Sequence, residues 1–545
     1  MSHVIELNDG AKKYFSGFIF LISLILICTK IERFPIGRAA VSLIGSTLMV
    51  IFNIVPPEEI KNAINFDTLI LLMSMMMLSN YMEKANIWDI ASKILLYKCK
   101  SPVVFMIRVC LISAVLSSIL TNDTVCVTLT PIIITACKQS NLPLFPYLMA
   151  VATSANIGSA ALPVGNPQNM IIATASGLSF ITFFKVSVVS SLIGIVINSS
   201  LLYLYFRKSL LSGSKGKDGY INTNDHSIID DGAPIEASII YKEQDNSHHI
   251  EKINDNYIVN IRKVENVQLE QDEEEEEDQI ELESIQLDKS IQHNYPNRNN
   301  NGAILVSNSE MDDNNDLELL NKNTSSNKIY GSDIKSNLNR YYEKYKPFLS
   351  MLYFYKPGII IILVLIGFFL GFHMGFTVMV GVSILIVLER KDINDVIVSV
   401  DWSLLIFFSG LFVLVDGFDR EFSSLAWTVL EPFVPLASSS VLKILVFTII
   451  VLVACNILGN VPLVLALCPR LLEEMAPDFT WLLLAFVSTV AGNLTLIGSV
   501  ANLIVAEKAK FDYQMGFYEY LKFGVPSTLL VIVVGVPIVV LIAST

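Results

Sequence analysis

Long apolar runs recur along this 545-residue chain, many of them near the ~17–25 residues that cross a bilayer as a helix. In the first half the pattern predicts spans at about 15–30, 38–55, 67–83, 145–175 and 180–206. The second half repeats it at about 357–372, 374–389, 401–417, 480–507 and 523–543. Two further apolar stretches, about 102–137 and 440–475, are each split by a short polar tip. Their arms are about 15–19 residues long, at or below the usual spanning length. We read them as re-entrant helical hairpins that enter and leave on one side; two ordinary spans each is the plainer alternative. The prediction is an all-α polytopic membrane protein with about 10 transmembrane helices, two re-entrant hairpins, and broken helices at the midplane.

The polar interruptions match between the halves. One set runs Thr121-Asn122-Asp123-Thr124, Pro131, Asn156-Ile157-Gly158, then Gly165-Asn166-Pro167-Gln168-Asn169. The other runs Gly459-Asn460-Val461-Pro462, Pro469, Asn493-Leu494-Thr495, then Gly498-Ser499 and Asn502. Asp67 before one apolar run has its counterpart in Asp401 before another. The order is kept and the offset stays within 333 to 338 residues, which argues for internal duplication. Polar, helix-breaking residues at membrane depth are costly unless they line a cavity or are buried in protein. Paired interruptions in two halves point to a solute site at the repeat interface.

Composition agrees. The chain is 52% hydrophobic and 16% charged, against about 25% charge in soluble domains, and its mean hydropathy is +0.55. No secretory peptide with a small-residue cleavage site is visible, so the first apolar run reads as a span or signal anchor. The net charge of −13 says little about function, because much of the acid falls in residues 211–349. That stretch is rich in Asn, Ser, Asp and Glu and includes the run Glu273 to Glu277. It cannot bury enough apolar surface to fold alone and reads as a disordered cytoplasmic linker. The expected organisation is a first membrane repeat (1–210), the acidic loop (211–349) and a second membrane repeat (350–545). Seven scattered cysteines without a C-x-x-C pair, and histidines mostly in tails or the loop, give neither a disulfide framework nor a metal site.

Short loops rich in Lys and Arg should be cytoplasmic. Lys30, Arg33 and Arg38; Lys84, Lys93, Lys98 and Lys100; Arg207 and Lys208; Arg390 and Lys391; and Lys508 and Lys510 fall on one side if the first half has five spans plus a hairpin. Five is odd, so the repeats come out inverted. Both termini then face outward, and the hairpins enter from opposite sides. Segments 85–99 and 418–430 read as interfacial amphipathic helices or plain loops.

Asp123 is the one acidic group at either tip. An ionisable residue at membrane depth is a functional hypothesis by default. A proton-coupling carboxylate and a helix cap both fit it. Asn122 and Asn460 can donate and accept, so they suit an ion or a hydroxylated solute; capping alone is the plainer reading. Thr124 lies beside Asp123. Gly165, Asn166, Asn169, Gly498 and Asn502 mark broken helices whose half-helix ends expose N–H groups, with Thr495 and Ser499 as extra hydroxyls. No Walker-type G-x-x-x-x-G-K and no enzyme constellation is visible, so no activity of an enzyme is expected. Energy would come from an ion gradient, of protons or sodium, or from a separate subunit, with no cofactor.

At these residues the sequence resembles the ion transporter superfamily, in its branch of ArsB/NhaD-type permeases with a citrate transporter-like domain. The resemblance rests on Thr121 to Thr124 with Leu129-Thr130-Pro131, on Ala155 to Gly158 leading to Gly165 to Asn169, and on Gly492 to Asn502. It covers nearly all the membrane region. It implies inverted repeats, two re-entrant hairpins, a midplane site and a movable transport unit. The Thr-Asn-Asp tip is similar to arsenite and silicon efflux carriers and departs from the Ser-Asn-Thr tips of sodium–dicarboxylate carriers. The function expected is proton-coupled efflux of arsenite, silicic acid or a similar solute, with Asp123 exchanging the proton. Asn122, Asn156, Asn460 and Asn493 would form the polar site. A sodium–proton antiporter or anion carrier is the alternative within transport; a channel-like or scaffold protein is the alternative outside it. The expected partners are a small inorganic or organic solute and the lipid bilayer, with no nucleic acid and a homodimer left open. Multi-pass insertion in the plasma membrane is the default, with an organelle membrane also compatible.

Overall fold

The computed structural model describes residues 8–28, 37–85, 87–97, 101–212, 355–390, 393–437 and 440–544. The acidic stretch 213–354 lies outside them, as do Lys30, Arg33, Lys98, Lys100 and Lys391. The regular elements of the described residues are helices. In the first half these are α1 (Asp9–Cys28), α2 (Arg38–Ile51), α3 (Ile60–Ala63), α4 (Phe66–Lys84), α5 (Ile87–Leu96), α6 (Pro102–Leu120), α7 (Asn122–Gln139), α8 (Leu144–Ser159), α9 (Pro167–Ser176) and α10 (Phe180–Ser212). The second half gives α11 (Lys356–Phe369), α12 (Met374–Glu389), α13 (Asn394–Val398), α14 (Trp402–Glu421), α15 (Ser423–Leu430), α16 (Val441–Leu458), α17 (Asn460–Glu473), α18 (Asp478–Ala491), α19 (Val500–Ala509) and α20 (Phe517–Ala543).

The sequence signals set these boundaries. Asn65 caps α4 by accepting from the Thr68 N–H at 2.9 Å, and Asp401 caps α14 by accepting from the Leu404 N–H at 3.0 Å. The matched Asp67 thus sits two residues past its cap, whereas its apparent partner is the cap: the two acids do not play the same part. The apolar stretches 102–137 and 440–475 each divide at the tip into two helices.

Six described helices are long and apolar enough to cross a membrane, or seven if the bent pair 57–63 and 66–84 is one span. That is fewer than about ten, for two reasons. The stretches 145–175 and 480–507 are each broken into half-helices, and α2, α11 and α12 have only 14 to 16 residues. The six also include the inbound hairpin arms α6 and α16. Arm length therefore does not separate a hairpin from two spans. Within segment 85–99, Ile87–Leu96 form α5, whereas 418–421 belongs to α14 and only 423–430 is a separate short helix.

Elements pack across the halves in matched pairs. α2 lies against α14 and α4 against α12, while the long helices α10 and α20 pair with each other. The outgoing arm α7 packs on half-helix α19, and the outgoing arm α17 packs on half-helix α9. Each hairpin thus touches the broken segment of the opposite half. This exchange brings the polar interruptions together inside the bundle.

Candidate functional site

The two tips share one backbone conformation. Thr121 has φ 78° and ψ 145°; Gly459 has φ 84° and ψ 153°. Neither residue makes a side-chain cap, and Asn122 and Asn460 begin the helices that follow. Capping therefore does not explain Asn122, Asp123 or Asn460.

Asn156 is the hub of the site. Its Oδ1 accepts from Asn122 Nδ2 at 2.9 Å and from Ser499 Oγ at 3.0 Å. Its Nδ2 donates to Asn493 Oδ1 at 2.8 Å and to Asn502 Oδ1 at 3.0 Å. All four hydrogen-bonding capacities of the amide are used. Asn493 and Asn502 carry the bonds onward, to Thr153 O at 2.9 Å, Gly492 O at 2.7 Å and Thr495 O at 3.1 Å. A residue in the first half is thereby fastened to three side chains from the second.

The broken segments are held in the same way. Asn166 caps α9, its Oδ1 accepting from the Asn169 N–H at 2.9 Å, and Ser499 caps α19 by accepting from the Ala501 N–H at 3.2 Å. Asn169 Nδ2 donates to Ser159 O at 3.2 Å. Gly165 is required by close approach, since a Cβ there would stand 2.2 Å from Ser159 O. Gly498 lies under Asn456, whose Oδ1 would be 2.5 Å from an added Cβ and which accepts from Thr495 Oγ1 at 2.9 Å. Thr124 pairs its hydroxyl with Thr121 at 3.1 Å.

Two acceptors are left over. Asn122 Oδ1 and Asn460 Oδ1 are buried and have no hydrogen-bond partner. Buried polar atoms are normally satisfied, so an orphan amide oxygen in each tip stands out. Asp123 is half-buried and stands apart from the amide network, and Arg38 at the start of α2 acts on it electrostatically.

Sequence reasoning missed three residues. Thr489 Oγ1 donates to Asn169 Oδ1 at 3.1 Å and accepts from Asn166 Nδ2 at 3.2 Å, bridging the halves. Asn456 ties α16 to the break by donating to Ala491 O at 3.0 Å. Asn80, on α4, has a third buried orphan amide oxygen, and its neighbour Ser79 donates to Leu120 O beside the first tip at 3.3 Å. A lone hydroxyl or amide inside an apolar helix carries no period or spacing that would single it out.

Apolar helices of spanning length around a buried polar centre, fed by two tips, define a multi-pass membrane transporter rather than an enzyme. The chain belongs to the CitMHS family, described as citrate transporter, whose model matches residues 23–491. It is 57% identical to "Putative transporter arsB" of Dictyostelium discoideum, over 100% of this chain and 95% of that protein. It is 30% identical to the silicon efflux transporter LSI3 of Oryza sativa subsp. japonica, over 93% of both chains. The P protein of Homo sapiens is 24% identical over 87% of this chain, which spans 53% of that protein.

Proposed function

We propose that this chain is a secondary active carrier that exports arsenite, silicic acid or a similar small hydroxylated solute, coupled to protons through Asp123. The observation that carries this reading is the pair of unpartnered, buried amide oxygens at Asn122 and Asn460. A neutral polyhydroxyl solute brings O–H donors, which these acceptors can receive without any charge being buried. Asn156, itself bonded to Asn493, holds the first tip in place, and Thr124, Thr495 and Ser499 supply further hydroxyls. The names of the relatives from Dictyostelium and rice agree with this solute class. Citrate fits less well, because the amide network of the site contains no Lys or Arg to meet three carboxylates. Sodium is the second reading, since amide carbonyl oxygens also ligate hard cations.

The site's depth supports re-entry of the hairpins. Asn122 bonds to Asn156, where the 145–175 stretch is about to break in mid-course. A turn joining two complete spans would lie at a membrane surface, not against such a break. With both hairpins re-entrant, residues 1–210 and 350–545 form inverted repeats, and residues 211–349 link them in the cytoplasm. The carrier sits in the plasma membrane and uses a proton or sodium gradient without a cofactor. A homodimer is compatible with this reading. The test is flux in proteoliposomes with arsenite, silicic acid, sodium and citrate, each with and without a pH gradient. We expect gradient-dependent movement of the two hydroxylated solutes. Movement of citrate or sodium alone would overturn the substrate class.

A further inference from the structure

A cavity of about 290 Å³ lies beside the first break, walled by α6, α10 and α11 together with Gly158, Ala161 and Leu162. It is just below the ~300–1,000 Å³ of ordinary small-molecule pockets. Its walls are almost wholly apolar. Phe180, Phe184 and Phe369 form one side, with Phe369 set edge-on to the other two rings at 5.1 and 5.0 Å. Val115 and Leu192 at the rim are 60% and 61% exposed on the outside of the bundle, so the mouth opens toward bilayer hydrocarbon.

Two serines line this cavity, and their hydroxyls differ. Ser118 Oγ is occupied, donating to Val115 O at 2.7 Å. Ser191 is only 3% exposed and its Oγ has no partner, whereas the adjacent Ser190 bonds back to Val186 O at 3.1 Å. The two hairpins differ just before their tips. Three residues before Gly459 stands Asn456, whose amide reaches across to bond Thr495 and Ala491 at the second break. Three residues before Thr121 stands Ser118, too short to do so. An apolar chamber with one unsatisfied hydroxyl at its wall suits a molecule of matching character. Bulk hydrocarbon alone would leave that hydroxyl unpaired, and a hydrated solute would find no partners along the aromatic side.

We propose that this crevice binds an uncharged amphiphile from the membrane, a hydrocarbon chain with one hydroxyl that pairs with Ser191. Bound there, it lies between the inbound hairpin arm, α10 and the break. The site is separate from the amide network, so binding can be read without transport.

The test uses the full chain in liposomes with a photoactivatable 1-decanol analogue, followed by peptide mapping. Labelling should saturate and concentrate on α6 and α10, and unlabelled 1-decanol should compete for it while decane competes poorly. Ser191→Ala should lower the apparent affinity by about tenfold, the equivalent of one hydrogen bond of ~1.4 kcal/mol. Val188→Phe should fill the chamber and abolish specific labelling; if it does not fold, Ser191→Ala still decides. Label spread evenly over the lipid-facing helices, or equal competition by decane, would overturn the proposal. So would labelling of Ser191→Ala at wild-type affinity.

Discussion

The two hairpins have the same backbone and different chemistry. Both tips turn on a positive φ, and both leave an amide oxygen unpaired and buried. The first carries Asp123 directly after Asn122; the second has Val461 and Pro462 there. The second is instead clasped near its far end. Arg470 on α17 pairs with Asp419 of α14 at 2.9 Å and donates to the Asp419 carbonyl at 3.0 Å. Among the described residues, the ion pair of the first hairpin's outgoing arm runs from Lys138 to Asp512, just past its packing partner α19. In the proposed carrier the shared features would hold the solute. The unshared ones divide the remaining work: a titratable group on one hairpin, an anchor to a neighbouring helix on the other.

The network common to both tips can be broken at one residue. Asn156→Leu removes four hydrogen bonds and leaves Asn122, Ser499, Asn493 and Asn502 short of a partner. At ~1–3 kcal/mol for each buried group left unsatisfied, the total rivals a whole stability of ~5–15 kcal/mol. We expect poor recovery of folded protein and a strongly lowered melting temperature in detergent. Asn156→Asp keeps the size and both acceptors but loses the two donors, so it should spare the bonds from Asn122 and Ser499 and break the other two. A melting temperature unchanged in both variants would show that the halves do not depend on this hub.

The unshared acid gives the next largest effect. Asp123→Asn makes the first tip resemble the second in charge while keeping its shape. If coupling runs through this group, flux driven by a pH gradient should fall about 5- to 150-fold, the range of a ~1–3 kcal/mol coupling energy. Binding measured at equilibrium without a gradient should change little, since the amides are intact. Retention of full pH-gradient dependence would move the coupling elsewhere.

How far the sequence reached depended on the kind of signal. Residues that break helices announce themselves, so the tips at Asn122 and Asn460 and the breaks at Gly165 and Gly498 were legible, and these did converge. Which pairs would touch was not. The fourfold use of Asn156 joins positions 337 and 346 residues apart, and only the packing of opposite halves creates it. Asn166 looked like a solute ligand and is spent on capping α9 and bonding Ser159. Thr489, Asn456 and Asn80 were invisible because a single polar side chain within an apolar helix has no pattern of its own. Matched sequence also misled at Asp67 and Asp401, where Asn65 rather than Asp67 does the capping.

The smallest effect comes from the turn itself. Thr121 is β-branched and holds φ 78°, a region costly for side-chain-bearing residues, while Gly459 takes φ 84° freely. An added Cβ at Gly459 would meet only Pro462 Cδ at 3.5 Å, an ordinary contact, so the cost of a side chain there is conformational. Gly459→Thr should therefore destabilise the fold by ~1–3 kcal/mol without a clash, and Thr121→Gly should relieve strain of similar size. The gain at position 121 is offset by the added chain entropy of glycine, by about 0.5–1 kcal/mol, and by loss of the hydroxyl contact with Thr124. The net expectation is a melting temperature that drops for Gly459→Thr and stays within a few degrees for Thr121→Gly. Thr121→Gly should also weaken solute binding if Thr121 fixes the Thr124 hydroxyl beside the first tip. Equal and opposite shifts in melting temperature, with binding untouched, would mean that the threonine serves only as a strained link and that the tips hold solute by their asparagines alone.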